Sequence, residues 1–300
     1  MIRGYKPFSQ ACLAAGSYGP RATPARRPSR SRVLSSTSPP AAEPPLAGSI
    51  ASHTSYILLH TRIPPTEYPS KIPSRLQRTL QLNASQWGGI VNFAWTPDQD
   101  CVHPDTKDAE WESARETYRL TAFSRFRGRL EVSEIKEGEI EGLLEVLKAH
   151  GSPLSPGEDA AGTDVDPVSI YVCTHRNRDC RCGDTGSAFF EALRSEVAGR
   201  QLESRVQVGA VGHVGGHKYA ANALVFPSGD WLGNLDADMA PQVLDAVLAR
   251  HNGQWQDHLR VPPLLSSHWR GRMGLNKEMS LALLNGNHNV QLPLKPTNRS

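Results

Sequence analysis

The sequence predicts an α/β fold, and three observations predict it. Apolar runs of strand length alternate with segments of helical periodicity along most of the chain. With 300 residues and 38% hydrophobic content the chain can bury a real core, enough for one or two domains. A polar stretch at 151–167 (GSPLSPGEDAAGTDVDP) interrupts the pattern, which restarts after it.

Residues 1–50 stand apart from the rest. Arg3, Lys6, Arg21, Arg26, Arg27, Arg30 and Arg32 all precede the first acidic residue, Glu43, and serine is plentiful. An Arg- and Ser-rich leader that is free of acidic residues over 1–42 has the composition of a mitochondrial presequence. A basic disordered tail is the alternative, because Pro7, Pro20, Pro24, Pro28, Pro39 and Pro40 break up any helix. Residues 39–50 (PPAAEPPLAGSI) read as a proline-rich linker, so folded structure is expected from near Thr54.

The half at 51–150 reads as a mixed α/β domain. TSYILLH (54–60) is a strand, and KIPSRLQRTLQL (71–82) a short amphipathic helix after Pro73. GGIVNFAW (88–95) and YRLTAFSRF (118–126) are β-branched and aromatic strands, and IEGLLEVLKAH (140–150) is a helix with one apolar face. Strands and one good helix also suit a second, degenerate copy of the fold expected downstream. Between the linker at 151–167 and a tail at 276–300 lies the domain at 168–275. It opens with the buried-type strand VSIYVC (168–173) and continues with helix SAFFEALRSEV (187–197) and strand RVQVGAV (205–211). Hairpin NALVFPSGDWLGNL (222–235) and helix PQVLDAVLARH (241–251) complete it. That order is the order of a thioredoxin-like layer, which other small α/β sheets share, so function has to be read from a site.

Composition excludes several functions. No run of 18 apolar residues exists, so no membrane span is expected, and a net charge of +3 does not by itself imply nucleic acid. Neither a dinucleotide fingerprint nor a P-loop occurs. Cys101 reads as a buried small hydrophobe, and His53, His60, His103, His150, His251, His258 and His288 as surface or helix-end residues.

The chemistry gathers in YVCTHRNRDCRC (171–182) and VGHVGGHK (211–218). Cys173 ends a strand and Cys182 follows in the loop, while His213 and His217 lie just past the next strand. Adjacent strands would deliver both loops to one edge of the sheet. Four readings fit. Two cysteines and two histidines are a zinc inventory, although Gly212, Gly215 and Gly216 disfavour the helix on which zinc-finger histidines ride. Cys173-Thr174-His175 matches one box of a Rieske site whose partner box is missing. Cys180-Arg181-Cys182, flanked by arginines that lower thiol pKa values, could be a reactive dithiol one residue tighter than the usual motif. An iron–sulfur cluster held by two thiolates and two imidazoles is the fourth.

The Cys-x8-Cys loop, the segment GHVGGHKYAANALVFPSGDWLG and the later HWRGRMGLNKE together resemble the sucrase/ferredoxin-like family of thioredoxin-like ferredoxins, and more narrowly its fungal mitochondrial members. The resemblance is close over 168–275 and holds only in outline before that. It implies a thioredoxin-like ferredoxin domain in the C-terminal half carrying a [2Fe–2S] cluster, with Cys173 and Cys182 on one iron and His213 and His217 on the other. Cys180 is left either as a replacement for Cys182 or as a free thiol. The implied role is one-electron transfer and redox homeostasis in the mitochondrion, matrix or intermembrane space, with a redox partner protein as donor or acceptor. It implies an electron carrier more than an enzyme with its own substrate. A thiol–disulfide quality-control protein and a zinc-stabilised interaction domain are the alternatives. Imidazole ligands would couple a proton to the electron, making the potential depend on pH. Arg176, Arg178, Arg181 and Lys218 would surround the site as a docking face for an acidic partner or as an ordinary solvated loop. Trp269 and Arg270, in SHWRGRMGL, resemble a family segment near the C-terminus that would cover the cluster, or read as packing and surface.

Overall fold

A computed structural model describes residues 45–97, 117–155, 167–251 and 259–287. The leader, Cys101, His103, His258, His288 and most of the polar break lie outside the described residues. The first half contains β1 (Ser55–His60), α1 (Arg75–Ala84), β2 (Gly89–Trp95), β3 (Thr117–Ser124), β4 (Gly128–Lys136) and α2 (Ile140–His150). The second contains β5 (Val168–Cys173), α3 (Cys180–Gly199), β6 (Val206–Val211), β7 (Ala223–Phe226), β8 (Asp230–Leu232), α4 (Ala240–His251), β9 (Trp269–Arg272) and α5 (Lys277–Leu284).

Among the described residues nine strands form one sheet in the order β4-β3-β1-β2-β6-β5-β7-β8-β9. In the second half β5 and β6 run parallel, β7 is antiparallel to β5, and β8 is antiparallel to β7. With α3 crossing from β5 to β6 and α4 following the hairpin, this is the thioredoxin-like layer. The first half repeats it strand for strand: β1 and β2 are parallel, β3 is antiparallel to β1, and β4 is antiparallel to β3. The two layers join edge to edge through β2 and β6, where Ala94 pairs with Val211 and Trp95 with Ala210.

Alternation along the strands sends side chains into three cores. Ile170, Val172, Val208 and Val225 face α3 and α4, while Ile57, Leu59, Val91 and Leu120 face α1 and α2. The opposite faces of both halves share a third core containing Tyr56, Phe123, Tyr171, Leu224, Phe226 and Trp231, with Cys173 and Cys182 at its margin. Phe123 of β3 stacks on Phe226 of β7 with centroids 4.1 Å apart and planes 6° from parallel. Five strand spacings would separate β3 from β7 by ~24 Å in a flat sheet. The sheet therefore curls, closing its inner face on itself and keeping the helices outside.

Several expectations change. The segment at 45–50 packs instead of linking: Ala47 is buried, and the Gly48 amide donates to the Arg270 carbonyl at 2.8 Å. His53 and His60 are buried rather than on the surface, because β1 and the residues just before it lie inside the molecule; His150 stands at a helix end as expected, but buried. β4 was not expected. It is an edge strand whose Arg129, Glu131, Glu134 and Lys136 hide its alternation and protect the open edge. Within the stretch 276–300, read as a weakly patterned tail, Lys277–Leu284 form α5, capped by Asn276 and anchored by Met279 and Leu283 in the core of the second layer. Among the described residues no helix is long and apolar enough to cross a membrane.

Candidate metal centre

Cys173 is the last residue of β5, and Cys182 sits in the first turn of α3, so a tight loop delivers both sulfurs. The helix starts at Cys180 and not near Ser187, because Asp179 caps it by accepting the Arg181 amide. Gly183 and Gly186 argue against helix by propensity, yet packing demands both. A Cβ on Gly186 would lie 2.1 Å from the Cys173 carbonyl oxygen, and one on Gly183 would lie 2.6 Å from the Cβ of Arg176. The missing side chains let α3 close onto the end of β5.

The sulfurs of Cys173 and Cys182 and a ring nitrogen of His213 all lie within 4.8 Å of one another. Nδ1 of His213 is 3.8 Å from Sγ of Cys182. The hydrogen bond from Cys182 holds the Cys173 thiol below its ordinary pKa against burial, helped by the amides of Val214 and His175 and by the charge of Arg270. The same bond, with burial, pushes the Cys182 thiol far up. Within the pair Cys173 is thus the more acidic thiol and Cys182 the less acidic.

His213 and His217 belong to the loop after β6. Gly215 and Gly216 take φ of +79° and +67°, which favours glycine, and so turn the loop back between the two rings. The ring centroids are 5.9 Å apart. His217 stands outside the group of three, with its side chain 49% exposed and Nδ1 3.5 Å from Oδ2 of Asp179. Cys180 is exposed and also outside the group.

Besides Asn177, two contributors were not among the expected site residues. His175 is buried; its Nδ1 accepts the His213 amide at 3.4 Å, leaving Nε2–H to donate to the Pro69 carbonyl at 2.9 Å. Burial holds its pKa down. Asn177 donates to the Tyr68 carbonyl at 2.6 Å, so the first half braces the cysteine loop directly. Cys173-Thr174-His175 was the sequence signal, but this imidazole positions backbone and is absent from the group of three. Arg270 is the other: it is buried and donates to Gly215 O at 3.2 Å and Asn222 Oδ1 at 2.8 Å. The basic ring is partly neutralised, since Arg176 pairs with Asp184 at 2.6 Å and Arg181 with Asp179 at 2.9 Å.

The chain matches the sucrase/ferredoxin-like family over residues 46–261. It is 32% identical over 94 residues to altered inheritance of mitochondria protein 32 of Debaryomyces hansenii, covering 30% of this chain and 34% of that protein. The protein of that name from Meyerozyma guilliermondii is 30% identical over 88 residues, 28% of this chain and 31% of that one. Actin patches distal protein 1 of Saccharomyces cerevisiae is 28% identical over 91 residues, 26% of this chain and 29% of that one. The matches span about a third of the length of these curated relatives. Among solved structures, a thioredoxin-like [2Fe–2S] ferredoxin from Aquifex aeolicus covers 28% of this chain and 81% of its own, at 17% identity and a TM-score of 0.25.

Proposed function

The chain belongs to the sucrase/ferredoxin-like family, and on that premise we propose that it is a mitochondrial [2Fe–2S] protein acting in one-electron transfer. Cys173 and Cys182 would hold one iron, and His213 and His217 the other. The observation that carries this reading is the meeting of two sulfurs and an imidazole nitrogen within 4.8 Å, from loops that β5 and β6 bring to one sheet edge. The donor set fits such a cluster: thiolate and imidazole, with no carboxylate in the group. When bound, the cluster supplies a one-electron couple that the side chains themselves lack.

The chain's own residues shape that site. The Cys182 hydrogen bond and the Val214 and His175 amides lower the Cys173 thiol pKa against its burial, and the curled sheet keeps both cysteines from water. His217 is the exposed donor, so a redox partner protein would approach from the histidine side. The mitochondrial location rests on the Arg-rich leader and on the names of the fungal relatives.

The test is to purify the full chain anaerobically and record its visible spectrum with iron and sulfide content. A red-brown protein with equal iron and sulfide is expected. Cys182→Ser and His213→Ala should lose the colour, whereas Cys180→Ser should keep it. Colourless protein with stoichiometric zinc would replace this reading with a zinc-stabilised domain. Colourless, metal-free protein with titratable thiols would replace it with a dithiol.

A further inference from the structure

Two arginines of β9 are buried, and they are satisfied in opposite ways. Arg272 donates its Nε to the carboxylate of Asp230 at 2.8 Å. Arg270 meets only neutral acceptors. Its Nε reaches Ser49 Oγ at 3.1 Å, Nη1 reaches Gly215 O at 3.2 Å and Asn222 Oδ1 at 2.8 Å, and Nη2 reaches Ser49 O at 3.3 Å. Its guanidinium also lies over the rings of Tyr219, at 5.1 Å, and Trp231, at 5.8 Å. Among the described residues no carboxylate pairs with it. A buried cation without an anion is costly, and such groups are kept where an anion is supplied.

The loop of the metal centre lies against this guanidinium. The loop joining His213 to His217 wraps the guanidinium so tightly that a Cβ on Gly216 would stand 2.3 Å from Nη2. The sulfurs of Cys173 and Cys182 act electrostatically on Arg270, and its charge in turn favours the Cys173 thiolate. Burial brings the guanidinium down to about 10, so it remains charged near neutral pH.

We propose that Arg270 is the built-in counter-charge of the metal centre, favouring the reduced state in which the site carries one more negative charge. This rests on the cluster reading above and adds to it a residue that sets the potential without ligating. A guanidinium fixed in a poorly solvated site is worth more than the same charge on the exposed loop.

Spectroelectrochemical titration of the anaerobically purified full chain tests it, comparing wild type with Arg270→Met, Arg270→Lys and Asn222→Asp. Removing the charge in Arg270→Met should lower the reduction equilibrium constant on the order of tenfold, ~59 mV for a one-electron couple. Arg270→Lys should restore most of the shift, because it keeps the charge and loses the fork. Asn222→Asp is nearly isosteric and puts a carboxylate on the guanidinium; it gives up the Asn222 Nδ2 bond to the Gly216 carbonyl at 3.2 Å but leaves the Arg270 bond to Gly215 O, so the potential should fall. It also decides the matter if Arg270→Met does not fold. Loss of the cluster from Arg270→Met but not from Arg270→Lys would support the same assignment. Equal potentials in wild type and Asn222→Asp, or equal shifts in the Met and Lys variants, would overturn it and leave Arg270 a loop strap. A wild-type chain that takes up no cluster would instead defeat the reading beneath it.

Discussion

Sγ of Cys182 stands 3.8 Å from Nδ1 of His213, although 31 residues separate them in sequence. One atom rides the first turn of α3 and the other a loop after β6, so their meeting depends on how closely the helix docks on the strand ends.

That docking rests on Gly186, whose missing Cβ leaves room for the Cys173 carbonyl. Gly186→Ala should destabilise the protein by ~1–3 kcal/mol, as overpacked sites do, and weaken metal retention by pushing Cys182 off its neighbours. Gly142→Ala, in exposed α2 with nothing within 4 Å, is the control and should be neutral or stabilising by ~0.5–1 kcal/mol. Urea melts with metal content before and after chelator challenge read both effects.

The carboxylate of Asp230 is fully buried and accepts from Trp269 Nε1 at 2.7 Å, Arg272 Nε at 2.8 Å and Arg250 Nη1 at 3.0 Å. It fastens β9 and the end of α4 to the hairpin. Asp230→Asn keeps the shape but takes the charge away from two arginines, and should cost ~3–5 kcal/mol. The urea midpoint should fall at an unchanged slope.

Acid should destabilise the fold before most carboxylates titrate. Burial holds His53, His60 and His150 down to about 4, against an ordinary 6.5. Because the folded values lie below the unfolded one, the unfolded chain binds protons first as pH falls. The stability these groups contribute is complete above pH 6.5 and is lost on the way down to 4, at up to ~1.4 kcal/mol per unit and group. Urea midpoints between pH 7 and 5 should therefore decline. His60→Gln, which can keep a bond to Thr121, should flatten the decline by about a third.

The sheet was largely readable because strands such as VSIYVC are buried on both faces and show as continuous apolar runs. β9 was not, since WRGR looks polar and its arginines are matched by groups as far as 221 residues away in sequence. Cys173, Cys182 and His213 announced themselves by residue type and spacing. Asp179 did not, because a capping aspartate looks like a surface residue until its partner is known; the segment of Arg270 carried a resemblance, but nothing in it showed that the arginine is buried. The curl of the sheet was equally hidden, as local pattern says which face is apolar but not what it meets.

Asp179 has two tasks that one substitution can separate. Its Oδ1 accepts the Arg181 amide at 3.1 Å and caps α3, while Oδ2 lies 3.5 Å from Nδ1 of His217. A carboxylate there holds the proton on Nδ1 and leaves Nε2 of His217 for a metal, as outer-shell carboxylates do for ligating histidines. Asparagine caps helices about as well as aspartate, so Asp179→Asn should leave the thermal midpoint nearly unchanged. It should nevertheless weaken metal retention by about 10–100-fold, measured by competition with a chelator. Asp179→Ala should lose both, with ~1 kcal/mol of stability from the cap. If Asp179→Asn retains metal like the wild type, the carboxylate serves the helix alone, and His217 takes its orientation from the glycine turn.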